Sequence, residues 1–196
     1  MGVTSSQTRK ELVEAAQRVL LARGYEGTRV SEIASEAGLT TGAIYNHFSS
    51  KADLLSAAIA ERAPDVISEL LQSGDGASVL EAIRRIGTLL PESTAILGPL
   101  VIEFVVTSTR DDDVARVVRP GFAAREAKMA RAIRLAQASG DIDSELDAGA
   151  LARLTTLLAL GSLAAGALEL APVERSAWAD VIGRMLDASR PKVGVT

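Results

Sequence analysis

The first regular pattern along the chain is helical. Leu12, Ala16, Val19 and Leu20 recur at spacings of three and four behind Thr8 and Glu11, which read as a capping box, until Gly24 ends the run. Thr28 is then placed to cap a short helix, VSEIASEA, whose Val30, Ile33, Ala34 and Ala37 share one face before Gly38. Thr40 opens a third short helix in which Ile44 and Phe48, four residues apart, both turn inward. Ser50, Lys51, Ala52 and Asp53 form another [ST]-x-x-[DE] start, and Leu54, Leu55, Ala58 and Ile59 begin a longer amphipathic helix. Its apolar pattern continues through Val66, Ile67, Leu70 and Leu71, with Pro64 predicting a bend.

The stretch QSGDGAS marks a boundary, so the chain divides into residues 1–50, a connecting helix 51–73 and a second domain 74–196. Within the last, the pattern predicts a helix over 79–90 ended by Pro91 and a very apolar one around Pro99. A segment 114–138 follows, which Pro120 and Gly121 kink or split, and two final helices, 147–170 and 172–188, meet at Ala171-Pro172. The expected class is all-α, with about nine helices.

Composition removes several alternatives. With 47% hydrophobic residues but only 3% aromatic, the 196-residue chain can bury a real core built from Ala, Leu, Val and Ile. Its lack of cysteine excludes a disulfide scaffold and thiolate-ligated metal, and a single histidine leaves no convincing nucleophile–base pair. No catalytic residue, metal or cofactor is therefore expected, and a helical enzyme is the weakest function class. The polar start MGVTSSQTRK has no apolar export segment, which makes the cytoplasm the expected location. Residues 154–168 are uncharged but fall short of the roughly 20 needed to cross a bilayer, so no membrane span is expected. A net charge of −4 argues against general polyanion binding. That total hides an asymmetry, because residues 1–51 carry six bases against five carboxylates.

Two short helices joined through Gly-Leu-Thr, with small Ala34 and Ala37 allowing close approach, match a helix-turn-helix whose second helix enters the DNA major groove. If Ile44 and Phe48 face the core, Thr41, Gly42, Tyr45 and Asn46 lie outward. Thr41 and Asn46 can hydrogen-bond base edges, Ala43 can meet a thymine methyl, and Gly42 lets the backbone approach DNA. His47 and Lys51 flank that face, where a cation or N–H donor reaches phosphate. Arg9 and Lys10 either reach neighbouring phosphate or form a solvated face.

The run GYEGTRVSEIASEAGLTTGAIYNHFSSKADLL resembles the DNA-binding domain of the TetR family of bacterial transcriptional regulators. The AG before the turn, the small-Gly-x-x-Tyr-x-His-Phe helix and the lysine followed by Leu-Leu carry the resemblance. It implies an all-helical homodimer with an N-terminal three-helix DNA-binding domain and a divergent C-terminal domain for ligand binding and dimerisation. It further implies phosphate-backbone contacts from Tyr45, His47 and Lys51, with Thr40, Thr41, Gly42, Ala43 and Asn46 on the recognition helix. Where the family often has Thr-Thr before helix two, this chain has Thr28-Arg29, which makes an arginine contact to phosphate the alternative to a hydroxyl contact.

The second domain is less explicit. Glu103, set between Ile102 and Phe104, is partly exposed, paired with an arginine, or used to orient a ligand. Phe104, Phe122 and Trp178 either line a pocket with it or are ordinary core, and the scarcity of polar groups points to an apolar or amphipathic effector. Near the end, Leu157, Leu158, Gly161, Ala164, Ala165 and Leu168 form a surface to pack against a partner's Val181, Ile182, Met185 and Leu186. The function expected is a ligand-responsive regulator, most simply a repressor released from a palindromic double-stranded operator. The alternative is a helix-turn-helix regulator whose C-terminal domain senses a protein partner or lipid.

Overall fold

The computed structural model describes residues 5–62, Arg84 and 98–191, which form helices and turns with no strand among them. Eight helices are described: α1 (Ser5–Gly27), α2 (Val30–Glu36), α3 (Thr41–Tyr45), α4 (Lys51–Arg62), α5 (Gly98–Thr107), α6 (Asp112–Ala138), α7 (Ala148–Ala167) and α8 (Arg175–Asp187). The all-α class holds. The helix expected over 79–90, the boundary near residue 73 and the bend at Pro64 lie outside the described residues.

The chain forms two compact units, the first comprising Met1–Pro64 and Pro99–Gly121. Its core is a single apolar cluster in which Leu12, Leu20, Ile33, Ile44, Leu54 and Leu55 are fully buried beside Phe48, Phe104 and Val114. Leu12, Ala16 and Leu20 recur at intervals of four, so one stripe of α1 supplies much of this contact. Gln17 ties α1 to α4 by donating to the Ala58 carbonyl at 3.0 Å. Across the surface, Arg18 pairs with Glu36 at 2.7 Å and Arg23 with Glu32 at 3.5 Å, which joins α1 to α2.

The expected start of α1 is corrected. Thr8 lies within the helix, and Glu11 accepts from the Gln7 side chain at 2.9 Å. Gly24, in contrast, does interrupt it: its φ of 68° leaves the right-handed helix, and a last turn continues to Gly27. Thr28 is not the cap of α2 either. The cap position belongs to Arg29, without a side-chain bond, because Thr28 is 2% exposed and its hydroxyl donates to the Gly24 carbonyl at 2.6 Å. The helix ends at a Schellman turn: Gly38 at φ 66° donates to Ser35 O, and Leu39 donates to Ala34 O at 2.9 Å.

The second unit comprises Asp65–Gly98 and Phe122–Thr196. Met129, Ala132, Ile133 and Ala136 of α6 pack with Ile142, Ala148 and Ala152, and Leu186 of α8 covers the cluster's edge. Gly98 meets the α7 backbone closely, since a Cβ there would stand 3.0 Å from Leu163 O. Asp147 caps α7 through Ala150 N at 2.7 Å, and Glu174 caps α8 through Ser176 N and Ala177 N. That acidic cap makes α8 begin at Arg175 rather than at the expected Pro172. Pro120 neither splits nor ends α6, which runs unbroken from Asp112 to Ala138. The missing proline N–H removes a single ladder bond, and the remaining turns carry the helix past it.

Candidate nucleic-acid interface

Thr40 opens α3 as expected: its side-chain oxygen accepts from Ala43 N at 3.2 Å, satisfying a helix-start amide. Four residues on, Ile44 is wholly buried, and Phe48 is 3% exposed. These two anchors set the rotation of the short helix. Thr41, Gly42 and Asn46 are consequently exposed, Tyr45 is 57% exposed, and Ala43 and His47 lie half-buried at the margins. Ser50 and Asp53 then start α4 together, with Ser50 Oγ accepting from Asp53 N at 3.1 Å and Asp53 Oδ2 accepting from Ser49 N at 2.9 Å.

The flanking residues divide. Arg29 is exposed, whereas the Thr28 hydroxyl is committed to Gly24 O inside the unit. Lys51 does not project freely. Its ammonium sits 4.3 Å from the centroid of the Tyr25 ring, beside an open hollow lined also by Glu26, Asp111 and Asp113. Burial lowers the Lys51 pKa, and the carboxylates of Glu26, Glu103 and Asp111 partly oppose that shift. The Tyr25 phenol is pushed up to about 12, first by burial and then by Asp111, Asp113, Glu26 and Glu103.

Two candidate ligand residues belong to this same unit. Glu103 accepts Tyr25 N on both oxygens, at 2.9 and 3.0 Å, and Glu26 N at 3.1 Å. Phe104 is 4% exposed and meets the Tyr25 ring edge-on, with centroids 4.8 Å apart. The carboxylate and the ring are thus engaged by the end of α1, the carboxylate on backbone amides and the ring within the unit's core. Sequence reasoning missed this clasp because its partners lie 77 and 78 residues apart. Phe122 and Trp178 are half-buried in the second unit.

The candidate dimer residues also separate. Leu157, Gly161, Leu168, Val181 and Met185 are exposed, and Leu158, Ala164 and Ala165 partly so. Ile182 is 6% exposed within its own chain, and Leu186 is half-buried against its own α6 cluster. Helix α7 is, by length and composition alone, long and apolar enough to cross a membrane, although it carries Arg153, which pairs with Glu126. That pair holds the Glu126 pKa down and the Arg153 pKa up, mainly through the side-chain hydrogen bond.

A capped short helix with a buried rear and an exposed polar front, preceded by a second short helix and a left-handed glycine turn, defines a helix-turn-helix protein. Residues 12–58 match the family model for bacterial regulatory proteins, tetR family. The HTH-type transcriptional regulator TtgR of Pseudomonas putida is 34% identical over 84 residues, covering 42% of this chain and 40% of that protein. In fold, the chain is similar to a TetR-family transcriptional regulator from Rhodococcus sp. (TM-score 0.76, 21% identity, 95% of this chain and 100% of the other). It also resembles FadR from Bacillus subtilis, solved in complex with stearoyl-CoA (TM-score 0.66, 18% identity, 93% and 99% coverage). The N-terminal region is thus similar to the DNA-binding region of the tetR family of bacterial regulatory proteins, and the chain spans about 40% of the length of the curated relative TtgR.

Proposed function

We propose that the chain is a homodimeric repressor that holds a palindromic double-stranded operator with two copies of α3 and releases it when a small molecule binds the C-terminal unit. The polarity of α3 carries this reading: Ile44 and Phe48 anchor it from behind, while Thr41, Gly42, Tyr45 and Asn46 face solvent. Thr41 and Asn46 read base edges, Gly42 admits close backbone approach, and Ala43 meets a thymine methyl. Tyr45, His47 and Arg29 hold phosphates and set the register. Thr40 caps the helix and so positions these groups.

One recognition helix reads only a half-site, so strong binding needs a second copy related by a two-fold axis. Helix α7 supplies a reason for dimerisation, since only 11% of its most apolar stretch is buried within one chain. A second copy covering Leu157, Gly161, Leu168, Val181 and Met185 removes that apolar surface from water. The effector is apolar or amphipathic, and stearoyl-CoA, held by the B. subtilis FadR on this fold, is the first compound to try.

The test is to select duplexes from a random pool with the full chain, then follow complex formation while adding effector candidates. Recovery of an inverted repeat bound by two chains, and its release by an amphipathic compound, is the expected result. Recovery of no preferred duplex sinks the DNA-binding reading. Release only by a protein or a lipid vesicle replaces the diffusible effector with the alternative signal.

A further inference from the structure

Four basic residues lie on the described part of α1, and three of them face carboxylates. Lys10 pairs with Glu14 at 3.9 Å, Arg18 with Glu36 at 2.7 Å and Arg23 with Glu32 at 3.5 Å. Arg9 differs: its guanidinium carbon stands 5.0 Å from the centroid of the Phe48 ring, with no carboxylate paired to it among the described residues. Phe48 immediately follows His47 and anchors the end of the recognition segment in the core. The stack therefore keeps an exposed arginine beside the proposed DNA face. A guanidinium carbon 5.0 Å from a ring centroid makes a cation–π contact, and an exposed arginine held there keeps N–H donors that can take a phosphate. Ring contact and phosphate contact are compatible for arginine in a way that a carboxylate pair would not be.

Lys51 presents the opposite arrangement. Its ammonium rests on the Tyr25 ring, half-buried, with Glu26, Asp111 and Asp113 around the same hollow. Moving it onto a DNA phosphate would give up the ring contact and take it from a negatively charged surrounding.

We propose that Arg9, pre-oriented on Phe48, is a phosphate-binding residue of the DNA interface, and that it supplies there the cation contact which the sequence pattern assigns to Lys51. Lys51 instead secures the start of α4 against the end of α1. This inference rests on the DNA-binding reading above.

The test uses the full chain and the duplex it selects, with affinity measured over a range of salt concentrations. Each phosphate neutralised contributes about 0.9 to the slope of log K against log salt. Arg9→Gln should make the slope shallower by about that amount per bound subunit, and Arg9→Lys should restore most of it. Lys51→Gln should change the slope far less, whatever it does to stability. Circular dichroism and denaturation of each variant separate folding losses from binding losses. An unchanged slope in Arg9→Gln, or a loss in Lys51→Gln as large as in Arg9→Gln, overturns the proposal while the DNA-binding reading stands. Absence of specific binding by the parent chain overturns both.

Discussion

Glu103 accepts the Tyr25 amide on both carboxylate oxygens, at 2.9 and 3.0 Å, and so clasps the end of α1 from a helix that follows it by more than 70 residues. A third bond comes from Glu26 N, and the neighbouring Gly24 leaves room for the carboxylate. The bonds are charge-assisted, and the turn they hold supports Tyr25, whose ring carries Phe104 on one contact and Lys51 on another.

Removing the carboxylate should cost more than an ordinary surface substitution. Glu103→Ala leaves two amides without this acceptor, and roughly 1.5–3 kcal/mol of stability should be lost, the range for hydrogen bonds to charged groups. Glu103→Gln should retain part of it. Urea denaturation measures both, and a Glu103→Ala midpoint equal to the parent's would show that the clasp adds nothing.

Gly24→Ala tests the same turn from the other side. A Cβ would lie 3.0 Å from Glu103 Oε2 in a backbone at φ 68° and ψ −177°, a region essentially reserved for glycine, where an L side chain costs roughly 1–3 kcal/mol before any displacement of the carboxylate. The double variant Gly24→Ala, Glu103→Ala should lose less than the sum of the two single losses, because the crowding disappears with the carboxylate.

Tyr25 should give the folded protein an alkaline weakness. Its phenol ionises near 10 when unfolded and about 12 when folded, so between these values the folded state binds the extra proton. Stability from this group is intact below pH 10 and declines as the pH rises from 10 to 12. Denaturation midpoints at pH 9 and 11 should fall in the parent and fall less in Tyr25→Phe, which also removes the late rise in tyrosinate absorbance.

On α3, positioning and readout should respond differently. Tyr45→Ala with His47→Ala should weaken all duplexes alike, whereas replacing Thr41 or Asn46 should change the preferred base, at about 1–3 kcal/mol for a good bidentate contact. Competition binding with single-base operator variants checks this. Unchanged affinity in a folded double variant removes Tyr45 and His47 from the interface.

The apolar face of α7 should fail when charged. Ala165→Arg places a long cation on the surface proposed to meet a second copy, and burying it unpaired opposes association. Sedimentation should show a folded monomer with operator affinity reduced beyond that of any single phosphate-contact variant. A dimer that still binds normally places the interface elsewhere.

Elements whose signals are local were legible in the chain itself. Thr40 caps α3 through an amide three residues away, Ser50 and Asp53 start α4 within one turn, and Gly38 closes α2 in the left-handed region. The period of Ile44 and Phe48 also determined which side of α3 stays exposed, because four residues bring a helix nearly back to the same face. Tertiary structure alone decided the rest. It turned Thr28 inward, gave Glu103 and Phe104 to the end of α1, seated Lys51 on Tyr25 and buried Ile182 within its own chain. A buried hydroxyl, carboxylate or ring is committed by the partner that packing brings to it, and periodicity along one helix does not identify that partner when it lies on another element.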